Sequence, residues 1–200
     1  MKRGKIRYLL IVIVILLIAG MYRSFNIQGW SDIPALLDNN RAIVNMAAYD
    51  IPVPFSLKKI SRIRDPERND MVLFWAPEST DSILVVKRVV AVPGDIIEIR
   101  NHKFLINGKQ LQYLYIFDRQ FPKIPEELLK GKTIAIEKSK NFEREIVVDE
   151  KDFKTANYGP LLIPDNQYFI LGDNRSNSQD SRQYGVIARE KILGKLIKVL

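Results

Sequence analysis

An uncharged apolar run, Tyr8–Tyr22 (YLLIVIVILLIAGMY), lies near the start of the chain and follows four basic residues, Lys2, Arg3, Lys5 and Arg7. A helix of this length reaches about 22 Å, so it needs tilt or local thinning to cross the roughly 30 Å core of a bilayer. A basic stub before an apolar run is typical both of a cleaved secretory signal and of a retained membrane anchor, and the pattern leaves both open. In either case the basic stub, residues 1–7, is expected in the cytoplasm and everything after Arg23 across the membrane.

Beyond Arg23 the pattern changes to short apolar segments rich in β-branched residues and separated by turn-forming residues, which predicts strands. Asn107-Gly108 is a strong signal for a tight hairpin turn. The predicted strands are Arg41–Met46, Asp70–Trp75, Ser82–Val92, Asp95–Arg100, Lys103–Ile106, Lys109–Leu114, Tyr168–Leu171 and Ile192–Leu200.

Few segments favour a helix: only Pro125–Lys130 opens with proline and acidic residues as helices do. Asp38–Asn40 and Asp50–Pro54 are predicted as loops, and the polar, lysine-rich stretch Phe117–Tyr158 as an insertion or an elaborated hairpin region. The predicted fold is therefore mostly antiparallel β: one β-rich domain, residues 23–200, behind one N-terminal transmembrane helix, residues 8–22.

Composition removes several kinds of chemistry. The chain has no cysteine and a single histidine, His102, so it excludes cysteine nucleophiles, thiolate zinc sites and zinc sites built on several histidines. The net charge of +8 is compatible with nucleic acid or an anionic membrane as partner, but the basic residues outside the N-terminus form no stripe with aromatic residues. We therefore predict no nucleic-acid partner and no metal or organic cofactor.

A serine and a lysine are the remaining candidates for nucleophilic catalysis. His102 lies in a predicted hairpin turn, where an exposed histidine is the simpler interpretation, so a Ser-His-Asp triad is not favoured. A lysine can act as a base only when an apolar environment favours its neutral form. Lys87 is surrounded by apolar residues on both sides, although it could also point to solvent. Ser31 follows the apolar run and alone would be taken for a linker serine.

A third segment, Gly172–Arg182 (GDNRSNSQDSR), is dense in polar groups yet flanked by the apolar residues Phe169–Leu171 and Tyr184–Ile187. A polar loop between core segments must satisfy its own hydrogen-bonding groups. Such a loop can form the rigid floor of a site.

These segments, in this order, resemble the type I signal peptidases. Lys87–Asp95 (KRVVAVPGD) matches the family pattern Lys-Arg-Val-x-Gly-x-Pro-Gly-Asp except at Ala91. Gly172–Arg182 matches Gly-Asp-Asn-Arg-Asp-Asn-Ser-x-Asp-Ser-Arg except at Ser176. The pattern Ser-Met-x-Pro-Thr-Leu is matched less fully, at Ser31, Pro34 and Leu36. The resemblance covers nearly the whole chain.

The resemblance implies a retained membrane anchor and a serine endopeptidase that cuts after small residues, the Ala-x-Ala preference. Ser31 is then the nucleophile, Lys87 the general base, and Ser178 the residue that orients the amine of Lys87. The oxyanion hole would use the backbone amide of Ser31 and that of Gly29. The residues expected to brace the site are Gly172, Asp173, Asn174, Asn177, Asp180 and Arg182. The substrate pockets are expected at Phe25, Ile27, Ile33, Leu84 and Val86.

The first motif departs from the family at Asp32, Ala35 and Asn39-Asn40. A carboxylate beside Lys87 would favour the charged amine, unless strand alternation turns Asp32 away. Three functions therefore stay open: general removal of signal peptides, a narrow-substrate peptidase of a pilus or conjugation system, and a non-catalytic assembly factor. The expected partners are signal-peptide-bearing preproteins, membrane lipid and the secretion translocon. The expected location is the inner or plasma membrane, with one span, a cytoplasmic N-terminus and an extracytoplasmic catalytic domain.

Overall fold

A computed structural model describes residues 2–77, 83–116, 121–149, 151 and 157–200. The chain begins with helix α1 (Lys2–Met21), which contains nearly all of the predicted apolar run, and Tyr22 already belongs to the first strand. Large apolar side chains of this helix, from Ile6 to Ile18, are exposed. Within the described ranges, no helix combines the length and apolarity that a membrane crossing requires.

The rest of the described chain is mostly strand, which confirms the mostly antiparallel β part of the predicted fold class. The strands are β1 (Tyr22–Asn26), β2 (Arg41–Asn45), β3 (Asp50–Pro52), β4 (Lys59–Arg62), β5 (Met71–Trp75), β6 (Leu84–Ala91), β7 (Ile96–Arg100), β8 (Lys103–Ile106), β9 (Lys109–Gln110), β10 (Gln112–Ile116), β11 (Thr133–Ser139), β12 (Phe142–Val148), β13 (Tyr158–Leu162), β14 (Gln167–Leu171), β15 (Ile187–Ala188) and β16 (Ile192–Val199). Two short helices, α2 (Glu126–Leu129) and α3 (Ser181–Tyr184), and a 3-10 turn at Arg189–Lys191 complete the described structure.

The strands form four sheets, and the strand pairs in the described ranges are antiparallel. The largest sheet has seven strands in the order β1-β2-β16-β5-β6-β14-β15. A four-stranded sheet follows the order β13-β7-β8-β9, a three-stranded sheet the order β10-β11-β12, and β3 pairs with β4. The strand that carries Lys87, β6, therefore lies inside the largest sheet, between β5 and β14.

The predicted strands are confirmed with small shifts of their ends, except that Lys109–Leu114 is divided between β9 and β10. Ser82, the first residue of another predicted strand, lies outside the described residues. The prediction of a loop at Asp50–Pro54 is wrong for Asp50–Pro52, which forms β3, and is confirmed only for Val53 and Pro54. Within Phe117–Tyr158 the structure contains α2 and the hairpin of β11 and β12, while residues 117–120, 150 and 152–156 lie outside the described part.

The central strands β5 and β6 are buried over most of their length because side chains pack on both faces of the sheet. Val72 and Phe74 face one apolar cluster, whereas Leu73 and Val86 face another. Near-continuous apolar runs are typical of strands covered on both sides. Lys87 lies within such an apolar run, and its side chain is therefore buried in the interior.

Candidate active site

The hydroxyl of Ser31 and the amine of Lys87 are in direct contact. Ser31 lies in the turn formed by residues 31–35, and Lys87 lies on β6, so the two come from distant parts of the chain. Lys87 Nζ donates to Ser31 Oγ over 2.5 Å, and the lysine is only 2% exposed. A hydroxyl beside a buried amine is the arrangement that lets an amine activate a serine.

Asp32 contacts the same pair of atoms. Its Oδ2 lies 2.7 Å from Lys87 Nζ and accepts a hydrogen bond of 2.7 Å from Ser31 Oγ. The possibility that strand alternation turns Asp32 away from Lys87 is thus wrong. Residues 31–35 form a turn in place of a strand, so neighbouring side chains are not forced to opposite faces.

The electrostatics of Asp32 reflect its burial. The side chain is almost fully enclosed, and Oδ1 has no hydrogen-bond partner among the described residues. Burial raises the pKa of Asp32, and the charge and hydrogen bond of Lys87 oppose that rise only in part. The negative charge of Asp173 raises the pKa of Asp32 further. The contact between Asp32 and Lys87 therefore lies in a poorly solvated place.

Gly172 lets two segments of the site approach each other. A Cβ atom at this position would lie 2.2 Å from Ser178 Oγ and 2.4 Å from the backbone oxygen of Ser31. No real Cβ tolerates such contacts, so only glycine fits here. The predicted role of Gly172 in bracing the site has this steric basis.

Asn174 fixes the nucleophile segment from the other side. Its backbone amide donates to the oxygen of Ser31 over 3.1 Å, and its side-chain amide donates to the oxygen of Trp30 over 3.0 Å. Asn177 is exposed, and its backbone amide donates to the oxygen of Asn174 over 3.1 Å. The backbone of Ser31 is thus held by Asn174 in the loop after β14, whereas Asn177 contributes to this loop through its backbone.

Asp180 organises the far end of this loop. It caps α3: its carboxylate accepts from the amide of Arg182, and its own amide donates to the side chain of Gln183. The same carboxylate binds the guanidinium of Arg182 over 2.8 and 2.9 Å and accepts from the amide of Gly172 over 3.1 Å. Arg182 in turn donates to the oxygen of Arg175 over 2.6 Å. Asp180 and Arg182 therefore brace the loop without contacting Ser31 or Lys87.

Asp173 forms a buried ion pair next to Lys87. Its two carboxylate oxygens accept from Arg88 over 2.8 and 2.6 Å, and Asp173 is 1% exposed. Because Arg88 follows Lys87 on β6, this bidentate pair ties the loop to the strand that bears the amine. It is the pairing expected for a bracing residue.

A second buried ionic cluster was not predicted from the sequence. Glu137 on β11 accepts from Arg175 over 2.8 and 3.1 Å, from Arg144 over 2.6 Å, and from the hydroxyl of Tyr113 over 2.7 Å. Burial alone would raise the pKa of Glu137, but Arg144 and Arg175 lower it from 4.5 to about 2. The region between residues 117 and 158 thus supplies the carboxylate that holds the site loop. The sequence feature that could have revealed this cluster is an acidic and a basic residue at opposite positions of a hairpin, Glu137 and Arg144.

Ser178 does not make the predicted bond to Lys87. Its hydroxyl is buried and has no hydrogen-bond partner in the part of the chain that the structure describes. The amine of Lys87 instead bonds to Ser31, to Asp32 and, over 3.0 Å, to the backbone oxygen of Val86. The carboxylate of Asp32 thus bonds to the amine of Lys87 in the place that the family resemblance assigned to Ser178.

The predicted oxyanion donors differ in their surroundings. The amide of Gly29 donates to Asp38 Oδ1 over 2.7 Å, so it is occupied and the expectation that it would serve the oxyanion is not supported. The amide of Ser31 makes no hydrogen bond to the described residues and remains a candidate donor.

The structure brings together four of the five predicted pocket residues. Phe25, Ile27 and Leu84 are half-buried and pack on the same apolar cluster as Val86. The prediction for Ile33 is wrong: it is 0% exposed and packs in a different cluster beneath α2. A turn residue enclosed in the core has no surface left to offer a substrate.

A cleft with a volume of about 400 Å³ opens directly at Ser31 and Lys87. Its other lining residues were missed by the sequence analysis: Ala76, Ile83, Val85, Gln179 and Tyr184. Val85 on β6 is two positions from Lys87 and shares its face, and Ile83, four positions from Lys87, lies just before the strand and lines the same cleft. Even spacing from the lysine was the signal that could have identified them.

Comparison with known proteins identifies the family. The family described as signal peptidase, peptidase S26, matches residues 1–200. Signal peptidase I of Pseudomonas fluorescens is 30% identical over 98% of this chain and 70% of its own length. Signal peptidase IB of Staphylococcus aureus is 30% identical over 93% of this chain and 82% of its own length. A crystal structure of a signal peptidase I from Enterococcus faecalis is 26% identical and covers 68% of this chain and 99% of that one, with a TM-score of 0.41. The chain therefore belongs to the signal peptidase family, peptidase S26, a family of serine endopeptidases that remove signal peptides.

Proposed function

We propose that this chain cuts N-terminal signal peptides from exported preproteins with Ser31 as the nucleophile and Lys87 as the general base. The observation that carries the proposal is the 2.5 Å contact between Ser31 Oγ and the buried amine of Lys87, in a chain of the signal peptidase family. The reaction needs no metal. Ser31 Oγ attacks the scissile carbonyl while Lys87 takes the hydroxyl proton.

The later steps use the same two groups. Collapse of the tetrahedral intermediate breaks the C–N bond, and Lys87 gives its proton to the leaving amine. Water then attacks the acyl-enzyme, its proton passes to Lys87, and Ser31 regains its hydroxyl proton as the ester bond breaks. The amide of Ser31 is positioned to stabilise the oxyanion of both intermediates.

The surroundings of the pair support a preference for small residues before the cut. The cleft at Ser31 is small, and Ala76 and Val85 give it an apolar lining. The half-buried side chains of Phe25 and Leu84 offer a second apolar surface nearby in the sequence and fold. Shallow apolar surfaces fit alanine-sized side chains better than bulky or charged ones.

We also propose that the chain is anchored in the inner or plasma membrane by α1, with residues 1–7 in the cytoplasm and residues 23–200 outside it. The basic stub supports the orientation. Near the end of α1, Gly20 packs closely against Pro54, and the neighbouring hairpin of β3 and β4 exposes Ile51, Phe55 and Ile60. Exposed apolar side chains beside an apolar helix suit contact with lipid. Membrane lipid and the translocon that delivers preproteins are then the partners.

One observation favours a second candidate function. The carboxylate of Asp32 lies 2.7 Å from the amine of Lys87, and a neighbouring negative charge favours the charged, non-basic form of a lysine. A chain whose lysine stays charged would act as a non-catalytic assembly factor. A chain whose lysine loses its proton only when a particular substrate binds would act as a narrow-substrate peptidase of a pilus or conjugation system.

Cleavage of preproteins by the full chain in detergent tests the proposal. We expect the wild type to cut after a small-x-small site, located by mass spectrometry of the mature N-terminus, and Ser31→Ala and Lys87→Ala to be inactive. Ser56→Ala and Lys59→Ala are the matched controls, because they remove a serine and a half-buried lysine outside the site. A wild type that cuts none of several preproteins, or an active Ser31→Ala, would contradict the proposal.

A further inference from the structure

Asp32 is a feature of the site that neither the family pattern nor a serine–lysine pair explains. A single oxygen, Oδ2, lies 2.7 Å from both Ser31 Oγ and Lys87 Nζ. The carboxylate is 5% exposed, and its other oxygen has no partner among the described residues. A buried carboxylate with an unpartnered oxygen costs free energy while it is charged, and uptake of a proton lowers that cost.

The charged groups around Asp32 come from two further segments. Lys87 and Arg88 face it from β6, and Asp173 faces it from the loop after β14. Arg88 is already paired with Asp173 through two hydrogen bonds, so Lys87 is the cation that contacts Asp32. A proton that passes between Asp32 and Lys87 would move between two atoms that are 2.7 Å apart.

Where that proton lies decides what Lys87 can do. With the proton on Lys87, the amine has no free electron pair for the hydroxyl of Ser31. With the proton on Asp32, the amine is neutral and its electron pair can accept the hydroxyl proton across 2.5 Å. In a poorly solvated site, the neutral pair competes with the ion pair far better than it does in water.

We propose that Asp32 is a third proton-carrying residue of the site and the acceptor that allows Lys87 to act as a base without losing a proton to solvent. This inference rests on the proposed function. In the step, Ser31 Oγ forms a bond to the scissile carbon, the hydroxyl proton moves to Lys87 Nζ, and a proton of Lys87 moves to Asp32 Oδ2. The products of the step are a tetrahedral oxyanion, a charged Lys87 and a neutral Asp32.

The protons return in the reverse order. Lys87 gives a proton to the leaving amine as the C–N bond breaks, and Asp32 gives its proton back to Lys87. The raised pKa of Asp32 fits a carboxyl that is protonated during the reaction. The same sequence then serves the attack of water on the acyl-enzyme.

The pH dependence of kcat/KM tests this role in the detergent-solubilised full chain with a preprotein substrate. In the wild type, the active state has one proton on the Asp32–Lys87 pair. Activity is therefore lost at acid pH only when the pair takes up a second proton, at Asp32. In Asp32→Asn, Lys87 must first release its proton to solvent. We expect the acid limb of the profile to move to higher pH by about one unit or more, with about tenfold lower kcat/KM for each unit below it.

The opposite behaviour follows if Asp32 only restrains Lys87. Removing the carboxylate would then raise kcat/KM and move the acid limb to lower pH, which would overturn the inference, as would an unchanged profile. Asp50→Asn is the matched control, because Asp50 is equally buried at 5% exposure but pairs with Arg189 and Lys59 away from the site. It is expected to lower stability and leave the pH profile in place.

A second measurement needs no variant. In the proposed step the resting pair carries its proton on Lys87, so the second proton is taken up by the carboxyl of Asp32. The acid limb of the wild type is then expected to stay at nearly the same pH between 10 and 35 °C, because ionisation of a carboxyl absorbs almost no heat. A limb that moves to clearly lower pH on warming would belong to an amine and would overturn the inference. These outcomes are distinct from failure of the proposed function, in which Ser31→Ala retains activity or the wild type cuts nothing.

Discussion

Replacement of Gly172 by alanine perturbs the point where the loop after β14 meets the nucleophile. The new Cβ would lie 2.4 Å from the oxygen of Ser31, whereas ordinary contacts begin at 3.4 Å, so one of the two backbones must move by about 1 Å. The side chain of Ser178, 2.2 Å away, can rotate, but the Ser31 oxygen is held by the amide of Asn174. We expect overpacking to cost about 1–3 kcal/mol of stability. A misplacement of the nucleophile by about 1 Å is expected to lower kcat/KM about 100-fold.

The assay is kcat/KM on a preprotein, normalised to folded enzyme, together with the free energy of unfolding. Gly194→Ala is the matched control, since its Cβ would lie 2.7 Å from the backbone oxygen of Asn45, between β16 and β2 and away from the site. It is expected to be destabilised to a similar degree while keeping the kcat/KM of the wild type. If Gly172→Ala lost no more activity than Gly194→Ala, the steric account of this loop would be refuted.

Three further predictions follow from the site and its supports. Ser178→Ala is expected to lower kcat/KM less than about tenfold and to leave the unfolding free energy equal or higher. The reason is that its buried hydroxyl has no hydrogen-bond partner among the described residues, while the amine of Lys87 already has three. A loss of kcat/KM as large as that of Lys87→Ala would contradict this prediction. Glu137→Gln is expected to cost about 3 kcal/mol at pH 7, measured by denaturant unfolding. Because the pKa of Glu137 is lowered from 4.5 to about 2, its contribution is complete above pH 4.5 and is lost towards pH 2, so the difference from the wild type should shrink at acid pH. Treatment with EDTA is expected to leave the cleavage rate unchanged, and a rate abolished by EDTA and restored by a divalent metal would refute a metal-free mechanism.

The strands that the sequence predicted are those whose pattern is simple. β5 and β6 are nearly continuous apolar runs because both of their faces are covered. The Asn107-Gly108 turn joins β8 to β9 in a hairpin. By contrast, β11 and β12 were not predicted as individual strands, although an elaborated hairpin was one of the two expectations for Phe117–Tyr158. Their inward-facing positions include Glu137 and Arg144, which are buried because they neutralise each other, so the alternation of apolar and polar residues is broken.

The site was predictable to the extent that motifs specify it. Ser31 and Lys87 were identified from their motifs, and the structure places them in contact. The contact of Asp32 with Lys87 was not predictable. In a strand, Asp32 would point to the face opposite Ser31, whereas in the turn of residues 31–35 it does not, and the sequence does not distinguish a turn from a strand here. The cleft residues Ile83 and Val85 were missed because the face of β6 that bears Lys87 depends on packing against distant strands.

Identification of the acylated residue tests the central claim most directly. During turnover of a preprotein, acid quenching followed by mass spectrometry of the digested enzyme is expected to find the peptide that contains Ser31 carrying the substrate's acyl group. The same experiment with Lys87→Ala is expected to find no adduct, because the hydroxyl is not activated. Continued turnover with an adduct on another residue, or an adduct on Ser31 of the Lys87→Ala variant at the wild-type level, would contradict the account.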